Sequence, residues 1–187
     1  MARWLIMGSL VGVLWWSTPA QSQSVPMGYK EVASEYGLPP ALLYSVALTE
    51  SGQSSLSEGQ FRPWPWALNI DGEGHYFLSR QLAWNALQAA LSETEASSVD
   101  VGLMQISWRY HRSVLGSSWQ ALDPYHNLRV AAGILRDCFV KHTHWIQSAG
   151  CYHAPNDSAR ADRYGQRVKA HWMQLTDAPT EVRLAYP

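Results

Sequence analysis

The sequence predicts an α+β domain, mainly α-helical, with one small β-hairpin. Three observations lead there: apolar residues recur at helical spacing in successive segments, one Gly- and Asp-rich stretch alternates like a hairpin, and the intervals are too irregular for a repeat fold. The 187 residues suit a single domain, and 47% hydrophobic with 16% charged residues is the balance of a globular chain.

The first helix spans about Gly28 to Tyr36, with Val32, Ala33 and Tyr36 on one face and Gly37 as a stop. Pro39-Pro40 opens the second, Ala41 to Ser51, whose Leu42, Leu43, Val46 and Ala47 form a stripe and which Gly52 terminates. From Gln53 to Ser79 the pattern turns to Gly, Ser, Pro and aromatics. Ala67 to Ile70, a turn at Asp71 to Gly74, and His75 to Phe77 read as the hairpin. Helical spacing returns through Leu82, Ala86, Leu87 and Ala90 over Ser79 to Leu91, and Ser92 to Asp100 reads as a polar loop. Three more helices follow, from His126 to Val140, Trp145 to Tyr152 and Ser158 to Leu175. The expected domain therefore occupies 23–175, before a tail at 176–187.

The N-terminus stands apart. Arg3 supplies a positive start, Trp4 to Trp16 is almost wholly apolar, and Thr18-Pro19-Ala20 or Ala20-Gln21-Ser22 offers small residues for cleavage. This is the anatomy of a signal peptide over 1–22. The apolar run is short against the roughly 20 residues of a membrane span, so the alternative of an uncleaved anchor is disfavoured. The mature chain is expected to be periplasmic or extracellular, with no stable membrane insertion.

Without Arg3 the mature chain keeps 13 basic residues against 15 acidic ones and has no Lys/Arg run, which argues against nucleic acid as a partner. Cys138 and Cys151 both lie in the part that would meet an oxidising compartment; a disulfide between them is one reading and two buried thiols the other. The histidines show no metal-ligand spacing, since His142 and His144 share a helix end and His153 is alone. Neither a metal nor a cofactor is expected.

Glu50 follows Val46 by four residues, Ala47 by three and Leu43 by seven, so it extends the apolar stripe of its helix. Desolvation and the negative end of the helix dipole both disfavour its charged form, which suits a general acid near neutral pH. A helix-end Glu that reaches solvent or an Arg is the competing reading on position alone. Further along, Gly102 to Ile106 is an apolar run interrupted by Gln105, whose amide can donate to and accept from the N-acetyl and hydroxyl groups of an amino sugar. Among the tryptophans of the mature chain, Trp64, Trp66 and Trp108 flank these motifs and are candidates for stacking on sugar faces. Trp84, Trp145 and Trp172 sit at helical spacing and read as core.

Taken together, Leu42-Leu43, Glu50-Ser51, Gly102-Leu103-Met104-Gln105-Ile106, Asn127-Leu128 with Ala131-Ala132-Gly133 and Leu135, Tyr152, and Arg163-Tyr164 with Val168 resemble the soluble lytic transglycosylases, which have the lysozyme-like fold. The resemblance covers roughly residues 28–172. It implies Glu50 as catalytic acid/base and Tyr152 as a hydroxyl near it. Gly102, Met104, Gln105, Trp64, Trp66, Trp108 and Tyr164 make up the expected substrate-binding set, and Asn127 and Gly133 are structural. Where the family commonly has Ala-Tyr-Asn, this chain has Cys151-Tyr152-His153. Residues 61–77 look like the variant of conjugation- and pilus-associated members.

The implied partner is the glycan strand of peptidoglycan, together with components of a conjugation or secretion apparatus. Most glycosidases use two carboxylates, but the resemblance implies one, with the substrate's acetamido group and C6 hydroxyl closing a 1,6-anhydro ring. Two alternatives stand beside this. A hydrolytic muramidase resembling goose-type lysozyme would need Asp100 or Asp71 to activate water; a glycan-binding subunit without catalysis would keep Glu50 for structure.

Overall fold

Helix α2 (Pro40–Ser51) runs through the middle of the domain. In the computed structural model, which describes residues 24–54, 60–93 and 98–175, every residue from Ala41 to Leu48 is buried. The expected stripe is thus a full cylinder, as in any helix apolar all round, with Tyr44, Ser45 and Leu48 covered on the remaining faces. Ser45 meets the apolar surroundings by donating to Ala41 O at 2.7 Å. The expected signal peptide and C-terminal tail lie outside the described residues, as do positions 94–97 of the expected polar loop.

Around α2 stand α1 (Met27–Tyr36), ended by Gly37 in the left-handed region, and α8 (Ser158–Gln174); α6 (Pro124–His142) packs on α1, and α7 (Trp145–His153) lies between α6 and α8. Asp123 caps α6 by accepting from His126 N at 2.9 Å, with Pro124 preset at the first position. Where α7 meets α8, a Cβ on Gly150 would stand 2.6 Å from Ala161 O, so only glycine lets these helices approach so closely. The Cys138–Cys151 disulfide is formed and ties the end of α6 to α7.

The hairpin is present as β3 (Ala67–Ile70) and β4 (Glu73–Tyr76), joined at Asp71-Gly72. It belongs to a larger antiparallel sheet of order β4-β3-β5-β6, with β5 at Val99–Val101 and β6 at Ile106–Ser107. The expectation of a loop through Asp100 is corrected here: Val99 and Val101 are buried in the sheet, with Asp100 between them. A separate ribbon pairs β1 (Gly52–Ser54) with β2 (Phe61–Pro63). Three further helices are α3 (Arg80–Glu93), the unexpected α4 (Trp108–Leu115), and the short α5 (Ser118–Ala121), which a Ser117–Gln120 capping box starts. Among the described residues no helix is long and apolar enough to cross a membrane. The architecture is the mainly helical α+β, lysozyme-like domain.

Candidate active site

Glu50 is the penultimate residue of α2, with only 11% of its side chain exposed. The next residue fixes its surroundings. Ser51 Oγ donates to Leu103 O at 2.6 Å and accepts from Trp64 N at 3.2 Å, so the end of α2 is tied both to the 102–106 segment and to the start of the aromatic stretch.

Across from it, α8 supplies Tyr164, whose hydroxyl donates to Glu50 Oε1 at 2.6 Å. Tyr164 is buried, so its place is behind the carboxyl rather than on an open substrate surface. Burial pushes the Glu50 pKa up to about 8; the Tyr164 hydrogen bond and the more distant Arg167 pull against this, and the charge of Asp100 adds to it. Burial holds the phenols of Tyr152 and Tyr164 well above their ordinary range, with the Glu50 charge acting the same way, so both remain donors.

The 102–106 segment is a built support. Gly102 has φ +79°, and a Cβ there would meet Asn127 Nδ2 at 2.8 Å. Asn127, fully buried, donates to Val101 O at 2.9 Å and Ala121 O at 3.0 Å and accepts from Met104 N at 2.8 Å. Met104 is buried, and its carbonyl accepts from Tyr152 Oη at 2.7 Å. Of the two tyrosine hydroxyls, then, Tyr164's touches the carboxyl and Tyr152's fixes the backbone beside it.

Gln105 sits at φ +45°, and its side-chain amide donates to Gly102 O at 2.8 Å and Ala67 O at 3.2 Å. Its donors are therefore committed to the protein, and the carbonyl Oε1 is what it can offer a ligand.

The three candidate tryptophans are half-buried. Trp64 Nε1 donates to Phe77 O at 2.7 Å, while Trp66 and Trp108 pack against the core. Trp172 is fully buried, and Trp84 and Trp145 pack on the core, as their spacing suggested.

Asp100 lies half-buried on β5, with its pKa raised by burial and eased by a hydrogen bond with Ser107. Asp71 serves the hairpin, accepting from Ser98 N at 2.8 Å. No cluster of three or more His, Cys, Asp or Glu suited to a metal occurs among the described residues.

The family model described as the transglycosylase SLT domain matches residues 28–174. The chain belongs to this family. Enzymes of the SLT family are lytic transglycosylases acting on peptidoglycan, and the match takes in Glu50, the 102–106 segment and both tyrosines. No curated protein and no solved structure matches the chain.

Sequence reasoning undervalued two residues that stand beside Glu50. Tyr164 shares the inward stripe of α8 with Val168 and Trp172 at steps of four, a visible signal of burial, but its bond to Glu50 spans 114 positions. His153, to which the sequence assigned no role, stacks on Tyr164 with ring centroids 4.3 Å apart and places Nδ1 3.9 Å from Glu50 Oε1.

Proposed function

We propose that this chain cleaves the MurNAc–GlcNAc β-1,4 bond of peptidoglycan as a lytic transglycosylase, with Glu50 as acid and then base and 1,6-anhydromuramic ends as product. One observation carries the reading: in a member of the SLT family, a nearly buried carboxyl with its pKa pushed up to about 8 is held by a phenol at one oxygen. Such a group is protonated at neutral pH and can act as a general acid. Because Oε1 accepts from Tyr164, the acidic proton belongs on Oε2, which no described residue engages.

On this reading Glu50 protonates the glycosidic oxygen as the bond to C1 of the muramic residue breaks, and the sugar's acetamido group supports the cationic centre. The C6 hydroxyl oxygen then bonds to C1 while its proton passes to Glu50, so the acid is restored and no water is consumed. Holding the internal nucleophile at C1 gives it an effective concentration that favours ring closure over hydrolysis. Gln105 Oε1 would accept from a sugar N–H or hydroxyl, and Met104 and Gly102 would shape the wall beside the reacting ring. Trp64, Trp66 and Trp108 would take the sugar faces, and Tyr152 would hold the backbone at Met104.

Hydrolysis has one observation in its favour, the nearness of Asp100, whose charge helps raise the Glu50 pKa. We further propose export through the signal peptide at 1–22 and action in the periplasm of the domain at 23–175. The resemblance of residues 61–77 supports local opening of the wall for a conjugation or secretion apparatus.

The test is digestion of purified peptidoglycan by wild type and by Glu50→Gln. The variant keeps shape but loses the acid, so a fall of about 10²–10⁴-fold or more is expected. Retention of more than about a tenth of the wild-type rate would remove Glu50 from the chemistry, on the same scale.

A further inference from the structure

His153 is the last residue of α7, and its ring lies parallel to that of Tyr164, with 6° between the planes and 4.3 Å between centroids. Its Nδ1 faces Glu50 Oε1 at 3.9 Å, the same oxygen that accepts from Tyr164. With 30% of its side chain exposed, the imidazole is open to solvent on part of its surface.

Once Glu50 has given up its proton, a nearly buried carboxylate is left with one donor on it, and a buried charge short of donors is costly. An approach of about 1 Å would bring a ring N–H into the range of a charge-assisted hydrogen bond. Resting on the reading of Glu50 as the acid, we propose that His153 is a positioning residue for it. It braces the face of Tyr164 and, in the cleaved state, turns Nδ1–H onto Oε1 as the second donor to the carboxylate.

The surrounding charges fit a neutral donor. Tyr152 and His153 face Glu50 from α7, Tyr164 and Arg167 from α8, and Asp100 from β5. Burial, then Arg160 and Arg167, hold the His153 pKa below its usual value, so the imidazole is uncharged at neutral pH. An imidazolium at this distance would stabilise the Glu50 anion before the reaction and drain the acid. A neutral N–H lowers the Glu50 pKa far less than an imidazolium would, so the acid stays protonated at neutral pH while the carboxylate gains a donor after proton transfer, and the carboxylate itself selects the Nδ1–H tautomer.

Two substitutions separate the ring from the donor. His153→Phe keeps a flat ring on Tyr164 and removes the N–H; His153→Asn removes the ring and keeps an N–H. Both are to be compared with wild type on a soluble glycan fragment of fixed length, reading kcat, KM, the alkaline limb of the pH profile and the melting temperature. For His153→Phe the expected result is a kcat lower by about tenfold with KM changed less than about twofold, the loss of one hydrogen bond to a charged group. Its alkaline limb should move to higher pH, because losing a donor to the carboxylate disfavours ionisation further. His153→Asn should recover kcat to within about threefold of wild type, being left with a donor.

Wild-type kcat and an unmoved limb in His153→Phe would overturn the proposal, as would His153→Asn being as slow as His153→Phe. If the Phe variant melts early, the kcat of His153→Asn decides: near wild type supports the donor role, and a tenfold loss defeats it. Glu50→Gln run alongside distinguishes the two levels. An inactive Glu50→Gln beside a fully active His153→Phe defeats only the role of His153, whereas an active Glu50→Gln defeats the reading of the acid beneath it.

Discussion

Glu50, the acid of the proposed mechanism, also bears on stability. Its folded-state pKa of about 8 lies above its ordinary 4.5, so between those values the unfolded chain ionises while the folded chain does not. The sign follows from linkage: Glu50 is no burden below pH 4.5, its cost to the fold grows as pH rises, and the cost levels off only above about pH 8. Glu50→Gln removes the ionisation and still offers Tyr164 a carbonyl. The variant is therefore expected to be more stable than wild type at pH 7 by on the order of 3 kcal/mol, with the gain vanishing toward pH 4. Thermal melts at several pH values check this, and a variant less stable than wild type at pH 7 would contradict it. On the proposed reading, in which the protonated acid is the working form, the same pKa places the alkaline limb of wild-type kcat/KM near pH 8.

Among the elements, α2 shows how far the sequence can be read. Its apolar spacing, Pro40 and Gly52 are local signals, and each matches a feature of the helix. The hairpin turn at Asp71-Gly72 was legible for the same reason: both residues adopt positive φ, 52° and 92°, which that pair tolerates. Strands β5 and β6 were not legible, because three and two residues make no period, and β5 joins the sheet through a remote partner; Leu68 pairs with Val101. Helix α5 carried a readable capping box at Ser117 and Gln120, and the Asp123-Pro124 start of α6 was equally visible. What no local pattern could show is that Asn127, read only as structural, ties three segments with its one amide. Asn127→Ala removes the side-chain partner of two carbonyls and one N–H, and should cost about 3 kcal/mol, seen as an earlier thermal melt. A melt within about 2 °C of wild type would show that the 102–106 segment is held by other means.

At the scale of the whole molecule, the carboxyl on α2 becomes a site only because α7 and α8 close over it, and the Cys138–Cys151 bridge anchors α7 to α6. The bridge spans 13 positions, for which chain entropy gives about 3 kcal/mol, so reduction should lower the melting temperature by about 6–12 °C. Since Cys151 immediately precedes Tyr152, reduction should also lower activity at temperatures where the fold persists; a reduced enzyme that melts early but works at full rate below its melt would separate the bridge from the site. These parts serve one claim, that Glu50 moves a proton out and back so that the sugar's own hydroxyl replaces water. Mass spectrometry of the glycan fragments released from purified peptidoglycan tests it most directly. The account predicts muramic ends in the 1,6-anhydro form, lighter by one water than reducing ends. Fragments that carry mainly reducing muramic ends would contradict it, and would turn attention to Asp100 as the group that activates water.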